Sequence, residues 1–178
     1  TYTAIYSRLH SITLSEELLK GREFEDYVLS LFNIQEDDEL ILQEWQGDKS
    51  YGKVKAENNS NPDFVFRYRQ NEFAVECKWR EKLSRDLSKD LFPIKRIENY
   101  KHFSEVRHMP VTIILGVGGE PCNPELLYKI PLNDIVPIIS GNLLLANYLL
   151  PASSFDVSMF LRQEENRKEI QLNNIFFN

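Results

Sequence analysis

The sequence predicts an α/β fold: a central mixed β-sheet with helices on both faces. Three observations carry that expectation. The elements run helix, strands, helix, buried strand. "VTIILGVGG" (111–119) is a continuous apolar run ending in glycines, as in a strand covered on both sides. "NPDFVFRYRQNEFAVECKWR" (61–80) alternates like two half-buried strands joined by a turn.

Taken in order, "TLSEELLKGREFEDYVLSLF" (13–32) predicts the first helix, because Phe24, Val28, Leu31 and Phe32 follow helical spacing. Thr13 and Glu16 form a capping-box start, and Gly21 is a weak point at which the helix is expected to divide. "ELILQEWQ" (39–46) reads as a strand. "GDKSYGKVKAENNSN" (47–61) reads as a polar loop long enough to face a substrate. After the hairpin, "SRDLSKDLF" (84–92) is expected to be a loop with a helical turn. Pro93 suits the first residue of a helix running to about Arg107, and "LLYKIPL" (126–132) is a further strand. The expected organisation is a single domain over 1–178, with its core at about 14–118 and a weakly patterned C-terminal extension at about 120–178.

Composition bounds the class. Apolar residues make up 42 % and charged residues 27 %, which is globular rather than disordered. No apolar run approaches the ~20 residues of a membrane span. Cys77 and Cys122 are too few for a disulfide framework, so a reducing cytoplasm is the expected compartment. The N-terminal stretch lacks the pattern of a signal peptide, and the absence of Met at position 1 leaves open a piece of something longer. The net charge of −6 argues at first against nucleic acid. From Lys78 to Arg107, however, nine basic residues stand against five acidic ones. That segment is +4, and a basic patch on an acidic body is compatible with a DNA face.

The hairpin carries the candidate chemistry. A tight turn at Gln70-Asn71 would set Arg69 opposite Glu72, with both aromatic sets on one side of the sheet. In that register Asp63 lies opposite Lys78 and diagonal to Glu76, all three on one face. Diagonal neighbours stand ~7–8 Å apart, so two carboxylates could converge on one divalent ion. Mg²⁺ takes hard oxygen ligands, and a lysine beside it can orient a water and steady developing charge. The plainer alternative is a cross-strand Asp–Lys pair worth a few tenths of a kcal/mol. The first helix favours a site. At about 100° per residue, Glu25 falls inside the apolar arc, whereas Glu23 and Asp26 do not. A carboxylate there needs a cation or hydrogen bonds to satisfy it.

"GREFEDYV", then "NPD", then "ECK" resembles the PD-(D/E)xK nuclease superfamily, in its restriction-endonuclease-like and Holliday-junction-resolvase-like branches, over roughly the first two-thirds of the chain. The resemblance implies a restriction-endonuclease-like core and an Mg²⁺-dependent deoxyribonuclease, an endonuclease in type, with Mn²⁺ as a substitute. It implies that Asp63 and Glu76 bind the metal with the Cys77 backbone carbonyl, that Lys78 positions the attacking water, and that Glu25 supports the metal or its waters. A Gln-x-x-x-Tyr motif of several branches reads here Arg96-Ile97-Glu98-Asn99-Tyr100. The Tyr matches and Arg96 replaces Gln, so Arg96 and Tyr100, with Arg80 and Lys95, are the candidate DNA contacts. The implied partner is DNA; a homodimer and a further domain outside this chain stay open. A nuclease-like module that binds DNA or protein without cutting is the alternative.

Other signals are weaker. "LGVGGEP" lacks the Lys-Ser/Thr of a P-loop and is expected to be a turn. His10, His102 and His108 lack zinc spacing. Cys77 and Trp79 fall on the aromatic face and are expected in the core.

Overall fold

A computed structural model describes residues 16–34, 36, 38–46 and 61–161 of the chain. The expected cap at Thr13, His10 and nearly all of the polar loop lie outside these residues. Helix α1 (Glu16–Phe32) is continuous through Gly21, which no neighbouring atom crowds, so the expected division is absent. Its buried residues are Phe24, Val28 and Phe32, the predicted stripe.

Strands β1 (Leu40–Trp45), β2 (Phe64–Tyr68), β3 (Asn71–Arg80), β4 (Val111–Val117) and β5 (Leu126–Pro131) form one sheet in sequence order. All neighbours are antiparallel except β3 and β4, which are parallel. A parallel pair needs a crossover. It is made by a short helix, α2 (Leu87–Asp90), and by α3 (Ile94–Arg107), with Pro93 one place earlier than expected, at the N-cap. β4 is buried along its whole length. After β5 come a 3₁₀ turn at 132–134, helix α4 (Ile135–Ile139) and further 3₁₀ turns to Phe160. Among the described residues no helix is long and apolar enough to cross a membrane.

Two buried layers cover the sheet. On one face α1 packs over Phe64, Phe66, Phe73, Val75 and Ile114. Phe32 stacks on Phe66 at 4.3 Å, and Phe73 stacks on Phe160 at 5.4 Å. Fully burying such a side chain stabilises by ~1.5–3 kcal/mol. On the other face α3 brings Ile97, Tyr100 and Phe103 onto Val65, Ala74, Ile113 and Leu115. A mixed five-stranded sheet with helices on both faces is the α/β architecture expected from the sequence. Where β4 meets α1 the sheet has Gly116, because a Cβ there would lie 2.4 Å from Phe24 Cε2.

The hairpin register departs from expectation. Phe64 pairs with Val75, Phe66 with Phe73 and Tyr68 with Asn71. The turn therefore falls at Arg69-Gln70, one residue early, with Arg69 at φ 56° and its backbone N–H donating to Glu39 O at 3.0 Å. The ladder shifts by two residues. Since side chains alternate with period two, the faces are those predicted while the partners change.

Candidate metal centre

The corrected register brings the two carboxylates closer together than expected. One step beyond Phe64↔Val75, Asp63 stands opposite Glu76 rather than Lys78. Opposed residues have Cβ atoms only ~4.5–5.5 Å apart. The two carboxylates are thus direct neighbours, on the α3 face with Val65 and Ala74. Lys78 lies one alternation further along the same face, its Nζ 5.3 Å from the centre of the Phe92 ring.

The end of β2 shapes the mouth. Cys77 should face Pro62, and proline has no N–H to give to the Cys77 carbonyl. The Cys77 N–H for its part donates to the Asp63 side chain, to Oδ2 at 2.8 Å. In an antiparallel ladder a residue's N–H and C=O point to the same edge, so the Cys77 carbonyl faces the side from which Asp63 approaches. The Cys77 side chain packs on the aromatic face, where burial and then the Asp63 charge push its thiol well above the usual range. It is a core residue, as expected.

Electrostatics mark the pair as unsettled. Part of Asp63 reaches solvent, yet its carboxyl is enclosed; burial first, then the Glu76 charge, raises its pKa well above the usual carboxylate range. Glu76 is 5 % exposed and is raised by burial, while the Tyr100 hydroxyl and the Arg96 guanidinium pull it back down. Burial, then the charge of Arg80, lowers the pKa of Lys78. Glu76 Oε2 is buried without a hydrogen-bond partner. A buried carboxylate oxygen left unpaired costs several kcal/mol unless protonated or met by a cation.

Glu25 reaches the same region from the opposite face of the sheet. The Trp45 indole N–H donates to its Oε2 at 3.2 Å. Burial, then the charge of Asp63, raises Glu25 to about 7. Among the described residues no three His, Cys, Asp or Glu side chains gather into a ready cation site. The oxygens gathered around the pair are those of Asp63, Glu76 and the Cys77 carbonyl, with Glu25 at one remove. Hard oxygens, a buried pair and an unpaired Oε2 fit a Mg²⁺- or Mn²⁺-sized ion.

The candidate DNA contacts separate. Tyr100 is 1 % exposed and its hydroxyl serves Glu76, so it stands inside the site rather than on a contact surface. Arg96, four residues before it on α3, is half-buried, and its charge acts on both Asp63 and Glu76. Arg80 donates to the backbone carbonyls of Asp90 and Trp79 at 2.8 and 3.1 Å, and so braces the loop after β3. Lys95 is exposed. Of the segment's other basic residues, Lys82 and Arg85 are exposed, Lys89 pairs with Asp86 at 3.7 Å, and Arg107 pairs with Glu44 at 2.8 Å. The glycines of "LGVGGEP" make a turn after β4, Gly118 and Gly119 having φ 73° and 59°.

Sequence reasoning missed Gln46. It is 6 % exposed, its Oε1 is buried without a partner, and its backbone N–H donates to Asp63 O at 2.9 Å.

No family model matches the chain, and no curated protein matches it. Among solved structures it is similar to Hjc of Archaeoglobus fulgidus, a Holliday junction resolvase from an archaeal hyperthermophile. The match has 14 % identity and a TM-score of 0.43 over 63 % of this chain and 75 % of that one.

Proposed function

We propose that this chain is a divalent-metal-dependent deoxyribonuclease, an endonuclease that hydrolyses DNA phosphodiesters by in-line attack of water. The single observation that carries this reading is the buried Asp63–Glu76 pair, with an unpartnered Oε2 and Lys78 on the same sheet face. Asp63, Glu76 and the Cys77 carbonyl would hold Mg²⁺, with Mn²⁺ as a substitute. When bound, the ion supplies polarisation of the scissile phosphate and an acidified water. The Lys78 ammonium orients the attacking water by hydrogen bonding and offsets charge developing on the phosphate. Its lowered pKa lets it share a proton more readily than an exposed lysine. Tyr100 holds the Glu76 carboxylate, and Arg96 offers a guanidinium to a phosphate oxygen at the same mouth.

The test is cleavage of supercoiled plasmid and branched DNA, with Mg²⁺ or with EDTA. Lys78→Ala and Asp63→Ala should lose about 100-fold or more in rate. Equal cleavage by wild type and Lys78→Ala would sink the mechanism. Cation-independent DNA binding without any cleavage would favour the non-cutting module instead.

A further inference from the structure

The sheet aligns Gln46 with the carboxylate pair. β1 meets β2 with Leu42 on Phe66, but then with Glu44 on Val65, so Gln43 is an extra residue. That bulge inverts the alternation of β1. Leu40 and Leu42 lie on the aromatic face, and simple alternation would put Gln46 with them. After the bulge Trp45 pairs with Phe64 on that face, and Glu44 turns to the other, where it reaches Arg107 of α3 at 2.8 Å. Gln46, a 3₁₀ residue just past the end of β1, is buried, and its N–H donates to Asp63 O at 2.9 Å. Gln46 just past the end of β1, Asp63 just before β2 and Glu76 of β3 therefore make a row across the end of the sheet. Bulges beside active sites commonly re-aim a side chain in this way.

The chemistry of that row is incomplete. Two of its three members each bury an oxygen with no hydrogen-bond partner: Gln46 Oε1 and Glu76 Oε2. Leaving either unmet is unfavourable. One visitor satisfies both, a cation with hard oxygen ligands, for which an amide carbonyl is a standard donor. No third acidic side chain, histidine or cysteine joins the pair among the described residues, so the place of a third side-chain oxygen falls to an amide.

We infer that the Gln46 side-chain carbonyl is a ligand to the divalent cation held by Asp63 and Glu76, carried to the site by the β-bulge at Gln43. This rests on the metal-site reading above. The role is distinct from packing: a buried glutamine placed only to fill space would have its amide oxygen bonded.

The test is calorimetric titration of the full chain with MnCl₂ and with MgCl₂, without DNA, together with thermal unfolding with and without the metal. Gln46→Leu should bind Mn²⁺ roughly 10-fold or more weakly. Its unfolding midpoint without metal should be unchanged or higher, because an unpaired buried oxygen has gone. Gln46→Glu, which exchanges the neutral carbonyl for a carboxylate, should bind Mn²⁺ more tightly than wild type. Asp63→Asn separates the two readings. If wild type binds no cation, or Asp63→Asn binds as wild type does, the metal site itself fails and Gln46 with it. If binding depends on Asp63 while Gln46→Leu and Gln46→Glu both bind as wild type, only the Gln46 assignment is overturned. Should Gln46→Leu not fold, Gln46→Glu decides alone, and unchanged Mn²⁺ affinity in it overturns the assignment.

Discussion

Asp63 Oδ2 accepts the backbone N–H of Cys77 at 2.8 Å, at the point where β2 has ended and Pro62 has no N–H to offer. This contact ties a carboxylate to the strand that carries Glu76 and Lys78. It also sets two acids face to face in a buried place, which without a cation is unfavourable when both are charged.

Asp63→Asn should therefore stabilise the metal-free protein near pH 8. The folded-state pKa of Asp63 is raised, so the cost of ionising it is absent below the unfolded value and fully present above the folded one. Asparagine keeps an oxygen for the Cys77 N–H. A gain of about 1–2 kcal/mol is expected at pH 8, vanishing towards pH 4. Mg²⁺ should stabilise wild type but not the variant. Chemical unfolding at both pH values, with and without Mg²⁺, measures this; a destabilised variant at pH 8 would refute it.

Glu25 gives a second pH signature. Its pKa is raised to about 7 from an ordinary value of 4.5, so stability falls as pH rises between those values and stays low above them. Glu25→Gln should flatten that slope and gain about 1–2 kcal/mol at pH 8, discounted for partial exposure. Trp45→Phe removes the N–H that favours the charged form, and should move the titration of Glu25 upward. Carboxyl chemical shifts across the pH range report both.

Arg96 lowers the proton affinity of Asp63 and Glu76 together. Arg96→Gln should shift the acidic limb of the cleavage profile upward by roughly one unit. A profile that keeps its shape while the KM for DNA rises would instead make Arg96 a phosphate contact alone.

Gly116→Ala should unfold the protein earlier, by about 1–3 kcal/mol. The new methyl would meet the buried Phe24 ring at 2.4 Å, and α1 must retreat. Since Glu25 follows Phe24, the same variant should disturb the Trp45–Glu25 contact. Phe24→Leu should recover part of the loss, which a double-mutant cycle will show as coupling.

Much of the molecule was legible in the chain. The apolar run of β4, the stripe of α1 and the alternation of the hairpin each follow from a period that side-chain burial imposes. The same periods placed Asp63, Glu76 and Lys78 on one face and Glu25 inside a buried stripe. What period cannot reveal is displacement by a whole period. A two-residue slip keeps every face and changes every partner, so it was decided by the Arg69 turn and its tie to Glu39. That slip turned a diagonal pair of carboxylates into an opposed one.

Gln46 was hidden for the converse reason. A single inserted residue breaks the period, and nothing in "ELILQEWQ" announces the bulge at Gln43. By itself the sequence determined which residues seek the interior and which carry charge. The tertiary structure decided which charges meet, because meeting depends on register, on where β2 stops, and on a bulge that only neighbouring strands can impose.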